Sequence, residues 1–162
     1  MSLAGFEPVD VNTKRVIVAG VGNVLRGDDG FGPAVTELLD DMPDGVEVIE
    51  TGIGGIALLQ ELMAGCNGLI LIDAVDQGEA PGSVVLMRPD VPEAVHVPDI
   101  HLANPDRVLS MAKTMGCLPE NVIIVGCQVS SVDTLGEGLS PEVERALEIA
   151  VKKIKETVDA WL

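Results

Sequence analysis

Basic side chains are scarce in this chain: 10 Lys and Arg stand against 26 Asp and Glu, for a formal net charge of −16. A field of that sign repels nucleic acid and acidic membrane surfaces, so neither is expected as a partner, and a basic or metal-bearing one is favoured. The same acidity also serves solubility. Long apolar runs are missing too: none reaches the ~18 residues of a membrane span. No charged-then-apolar leader opens the sequence either, and the expectation is a soluble, cytoplasmic protein. Cysteine is limited to Cys66, Cys117 and Cys127, without any C-x-x-C spacing. That argues against a disulfide framework or a zinc knuckle and for reduced, mostly buried thiols. The serine elbow G-x-S-x-G and the motif H-E-x-x-H are both absent, which removes the standard serine and zinc protease readings.

Repeats, linkers and a second domain are also lacking. Residues 1–13, MSLAGFEPVDVNT, have no sustained periodicity and read as a flexible N-terminal arm. Residues 14–162 are long enough to bury one core and read as a single α/β domain.

What the sequence does have is alternation. The runs RVIVAG, VEVIET and GLILIDAV are short and β-branched, and between them lie the helical patterns FGPAVTELLDDM and GIALLQELMAG. Such alternation implies βαβ units around a parallel sheet, and strands this apolar imply a sheet covered on both faces. GSVVLMR follows LILIDAV after only DQGEAPG, too short for a helical crossover, so it should run antiparallel at an edge. RPDVPEAVHVPDIHLANP is rich in proline and reads as a long excursion above the sheet. In NPDRVLSMAKTMG, Asn104 is the expected N-cap, Pro105 the first helical residue and Gly116 the stop. NVIIVGCQV is the last inner strand. Ser140 and Pro141 open a final helix in which Val143, Leu147, Ala150, Val151, Ile154 and Val158 form one apolar stripe. The expected architecture is a three-layer α/β sandwich: a mostly parallel five-stranded sheet, one antiparallel edge strand, and helices on both faces.

Right-handed crossovers bring the carboxyl ends of parallel strands to one rim, where α/β proteins bind ligands. At that rim the first strand enters GVGNVLRGDDGFG, which sets Asp28 and Asp29 between glycines. A phosphate would be repelled there, and a cation would not. Asp73 and Asp76 close the strand LILIDAV, Cys127 and Gln128 close the last inner strand, and the excursion bearing His101 can reach the same place. Carboxylates with one imidazole suit a borderline divalent cation. Any one of these acids alone would read as a cap or a turn residue; their convergence favours a metal site. Of the histidines, His96 and His101, either could be the ligand, and His101, beside a helix start, is better fixed in space. Cys127 with His101 would make a nucleophile, but a cysteine closing an apolar strand is more often inert packing.

Gly20-Val21-Gly22 resembles the start of a dinucleotide fingerprint, yet Leu25 stands where its third glycine should be. Gly52, Gly54 and Gly55 in ETGIGGIALL form a second glycine-rich strand-to-helix turn. Tight turn geometry alone would explain it; the functional reading is that the backbone of a bound polypeptide passes close by. Asn23 and Asp28 are assigned to the substrate contact along with these glycines.

Together these residues resemble the hydrogenase maturation endopeptidases, which trim the C-terminal tail from the large subunit of nickel–iron hydrogenases. GVGNVLRGDDGFG is similar to that family's opening G-x-G-N-x-L-x-x-D-(D/E)-x-x-G, TGIGGIALLQEL to its second glycine turn, LILIDAV to the strand bearing its aspartate, and GLSPEV to its closing signature. The resemblance runs from about residue 15 to 156. It implies an α/β sheet flanked by helices and a metal held by Asp29, Asp73 and His101, which would be the catalytic residues. It also implies that the nickel is carried by the substrate, a hydrogenase large-subunit precursor, and is read there; other divalent metals could substitute. The family often has glutamate where this chain has Asp29, and often (S/T)-H-x-x-x-L where this chain has IHLANPDRVL. Two alternatives stand beside this one. One is a nickel-binding chaperone that cleaves nothing. The other is a receiver-like magnesium-binding signalling domain, against which Gly126-Cys127-Gln128 offers no lysine after the last strand.

Overall fold

The apolar runs become strands because β-branched side chains pack well on a pleated, doubly covered surface. In the computed structural model, which describes residues 14–52, 55–93, 105–130 and 138–162, they are β1 (Val16–Val21), β2 (Val46–Gly52), β3 (Gly68–Val75), β4 (Val84–Met87) and β5 (Asn121–Gln128). The helical patterns become α1 (Phe31–Glu37), α2 (Ile56–Met63), α3 (Pro105–Thr114) and α4 (Pro141–Trp161), with a 3-10 turn over Gly27–Gly30 ahead of α1. The predicted arm, residues 1–13, lies outside the described residues.

Among the described residues the sheet has five strands in the order β2-β1-β3-β5-β4. β1 is parallel to β2 and β3, and β3 is parallel to β5. β4 runs antiparallel to β5 at the edge, as the short connection requires. Alternation along each strand splits the core in two. Val16, Val18, Ile70, Ile72, Val125 and Cys127 face the α1 and α4 side, while Ile17, Ala19, Leu69 and Leu71 face α2 and α3. Full burial of one such Val, Leu or Ile contributes about 1.5–3 kcal/mol, and this reserve tolerates an electrostatically unfavourable rim.

On α4, Val143, Ala150, Ile154 and Val158 are buried as the stripe predicts, and Ala146 joins them. Pro105 opens α3, and Gly116, at φ 76°, lies just past its end; Asn104 is outside the described residues. α1 is shorter than its pattern and stops at Glu37, because the chain must turn back toward β2. Asp41 makes that turn at φ 58°. From β1 the chain moves outward to β2 and then returns past β1 to β3, so its direction reverses between β1 and β3. A crevice at such a switch point is where an open α/β sheet binds ligands. No helix among the described residues is long and apolar enough to cross a membrane.

Candidate functional site

Beyond β1 the backbone turns at Gly22, whose φ of 138° disfavours any side chain; a Cβ there would also run into the carbonyl oxygen of Asp29. Asn23 then builds the next turn. Its backbone carbonyl accepts the Arg26 N–H at 3.1 Å, and its Oδ1 accepts the Leu25 N–H at 2.9 Å, an aspartate-type turn of the kind asparagine favours. The Asn23 N–H donates to Asp29 Oδ2 at 2.8 Å, so the loop itself orients the half-buried Asp29 carboxylate. Gly32 fastens the loop to the sheet. A Cβ at this position would collide with the carbonyl oxygens of Val21 and Ile72, and only glycine lets α1 start so close to the ends of β1 and β3.

Asp73 comes from β3. Pairing of β3 with β1 ends at Gly20↔Ile72, so Asp73 is the first β3 residue beyond that ladder, still paired with Gly126 of β5. The alternation of β3 puts it on the α2 and α3 side. Its carboxyl is pushed up to about 7, first by burial and then by the negative charge of Asp29, with a smaller contribution from Asp106. A bond with the Ala74 backbone N–H opposes the rise. No positive charge from the described residues is among these influences. The acid after β1 and the acid of β3 are thus close enough to repel one another.

Asp28, expected at the substrate contact, behaves differently from its neighbour. It is 3% exposed. Its Oδ1 accepts the Ser140 N–H at 2.7 Å, and its Oδ2 accepts the Ser130 N–H at 2.8 Å and the Ser140 hydroxyl at 2.9 Å. The chain's own donors therefore occupy this carboxylate. Ser140, as the residue before α4, makes no side-chain cap bond, because its hydroxyl is committed to Asp28. A receiver-like magnesium site, which would use both acids, loses one of them to this arrangement.

Asn23 likewise commits its side-chain oxygen to the turn. Gly52 ends β2 opposite Val21, where the register shifts, and Gly55 is the N-cap of α2 at φ −80°. Gly54, His96 and His101 lie outside the described residues. Asp76 accepts a 3.0 Å bond from Nε2 of the buried Gln128, whose Oε1 accepts the Gln77 N–H at 2.7 Å; the pair braces the β3–β4 connection. Cys127 is buried on the α1 and α4 side, across the sheet from Asp73, and burial followed by the charge of Asp28 pushes its thiol up to about 11. All three cysteines are free.

Asp106, in the first turn of α3, is an influence on the site that pattern reading overlooked. Its only signal was an acid soon after His101 at a helix start. Among the described residues no three His, Cys, Asp or Glu side chains gather as a metal cluster. Asp29 and Asp73 supply oxygen donors of the kind a divalent cation takes.

Residues 33–157 match the profile of the hydrogenase maturation protease family. A hydrogenase expression/formation protein of Rhodobacter capsulatus is 33% identical over 154 residues, covering 91% of this chain and 73% of the relative. The hydrogenase 2 maturation protease of Escherichia coli is 33% identical over 146 residues, covering 86% of this chain and 88% of the relative. Among solved structures, the hydrogenase maturating endopeptidase of Escherichia coli superposes with a TM-score of 0.77 at 30% identity, over 90% of this chain and 93% of the other.

Proposed function

This chain belongs to the hydrogenase maturation protease family, and we propose that it removes the C-terminal extension of a nickel–iron hydrogenase large-subunit precursor after nickel insertion, reading the bound nickel. What carries this reading is the placement of Asp29 and Asp73 together at the β1/β3 switch point, where the charge of Asp29 acts on Asp73 and no positive charge from the described residues offsets it. A cation brought there by the substrate relieves that repulsion. Asp73 then gives up its proton and becomes a full carboxylate ligand, while Asp29 is already aimed by the Asn23 N–H. His101 completes the set in this reading. Two carboxylates and one imidazole leave the ion open to ligands that the precursor supplies, unlike a closed four-ligand structural site. Other divalent cations with similar ligand preferences can substitute.

The nickel supplies Lewis-acid polarisation of a nearby peptide carbonyl or water. The chain's own contribution is placement. The loop from Gly22 to Gly32, held by its own hydrogen bonds, presents Asp29 without further ordering on binding. Free thiols at Cys66, Cys117 and Cys127 accord with action in the reducing cytoplasm.

The test is incubation with a nickel-loaded large-subunit precursor followed by intact-mass spectrometry. Loss of the C-terminal segment with the native protein, and none with Asp73→Asn, is the expected result. Binding of the precursor without any mass loss would instead make the protein a nickel-binding chaperone.

A further inference from the structure

Val24 and Leu25 are the central residues of the 23–26 turn, and they are 52% and 59% exposed. Ile56, the first residue of α2, is 58% exposed. β1 and β2 pair as far as Val21↔Gly52, so the turn and the start of α2 rise from neighbouring strand ends on the rim that carries Asp29. Single exposed apolar residues are ordinary. These differ because their exposure is built in: the bonds Arg26 N–H to Asn23 O, Leu25 N–H to Asn23 Oδ1 and Asn23 N–H to Asp29 Oδ2 orient the carboxylate and hold the turn that displays Val24 and Leu25. An object that delivers a cation to Asp29 must therefore lie beside them.

We propose that Val24, Leu25 and Ile56 form an apolar docking lip for the polypeptide that carries the cation, packing against apolar side chains that flank its metal. The inference rests on the function proposed above, in which that polypeptide is the hydrogenase precursor. The choice of occupant follows from continuity with the acid pair and from charge. A chain of net charge −16 repels acidic surfaces and favours a cation-bearing one, and the Asp29 carboxylate lies in the same loop as Val24 and Leu25. The division of labour is then clear: the metal sets the register, and the lip supplies desolvated contact area of the kind that dominates interface affinity. Because the turn is already fixed, docking loses little conformational freedom.

The test compares KM and kcat on nickel-loaded precursor for native protein, Val24→Ser/Leu25→Ser, Ile56→Ser and a control, Met63→Ser. Met63 is 56% exposed at the far end of α2. The double variant should raise KM about tenfold or more with kcat nearly kept and an undiminished melting temperature; Ile56→Ser should raise KM less, and Met63→Ser not at all. Unchanged KM in both lip variants, or a fall in kcat alone, overturns the lip while leaving the protease reading intact. Should the double variant melt early, Leu25→Gln and Ile56→Ser decide by the same criterion. Native protein that neither binds nor cleaves the nickel-loaded precursor overturns the functional reading and the lip with it.

Discussion

The Asp28 carboxylate holds Ser140 twice, through the N–H at 2.7 Å and the hydroxyl at 2.9 Å, across 112 residues of chain. It thereby ties the loop after β1 to the start of α4, the helix that covers one face of the sheet. Asn at position 28 keeps one acceptor oxygen and turns an NH2 group toward donors it cannot serve. Asp28→Asn should therefore cost on the order of 3 kcal/mol, measured by urea denaturation. A loss below about 0.5 kcal/mol, the range of a surface substitution, would mean these bonds carry no net stability.

Asp29→Asn should behave in the opposite way. Its remaining oxygen can still accept the Asn23 N–H, so folding is nearly unaffected, while cleavage of the precursor is severely weakened. Removing the charge also removes one of the causes that raise Asp73. A carboxyl-carbon NMR titration should show Asp73 titrating lower in this variant, though still raised by burial. No movement of Asp73 would mean that the two acids do not sense each other.

Asp73 makes stability depend on pH with a definite sign. Its carboxyl titrates at about 7 in the folded protein against an ordinary 3.8, so between those values the folded state holds a proton that the unfolded state has lost. The contribution is full below pH 3.8 and disappears as pH rises through about 7. At pH 8 the ionised group is a burden, and Asp73→Asn should raise stability there, by about 4 kcal/mol at most from the size of the shift, while abolishing cleavage. A variant that melts below the native protein at pH 8 would refute this electrostatic picture.

Cys127→Ser tests the thiol. The side chain is fully buried, on the opposite side of the sheet from Asp73, with its thiol pushed up to about 11, so it is no nucleophile at neutral pH. Cleavage should persist, with a stability loss of about 1–3 kcal/mol for placing a hydroxyl among apolar groups. Complete inactivity of a well-folded Cys127→Ser protein would bring the cysteine back as a catalytic candidate.

The layers and the edge strand were legible in the sequence because they follow from local rules: apolar runs covered on both faces, a connection too short to cross over, and one helical stripe from Val143 to Val158. Asp29 and Asp73 were legible as strand-end acids. The opposite fates of Asp28 and Asp29 were not, because Ser130 and Ser140, which decide them, are distant in sequence and their approach depends on the completed fold. The part Asn23 plays in the turn was not legible for a related reason: its side-chain oxygen accepts the Leu25 N–H, a local bond that a motif letter does not distinguish from a substrate contact.

The most direct measurement of the central claim asks whose metal the site uses. Purified protein, shown to be metal-free by elemental analysis, is mixed with precursor that either carries nickel or lacks it, and the zinc-preloaded protein is tested on the nickel-free form. Cleavage of the nickel-loaded precursor alone, with the nickel-free one left intact even by zinc-loaded protein, is what the account requires. Comparable cleavage of nickel-free precursor by the zinc-loaded protein would contradict it and identify an ordinary metalloprotease.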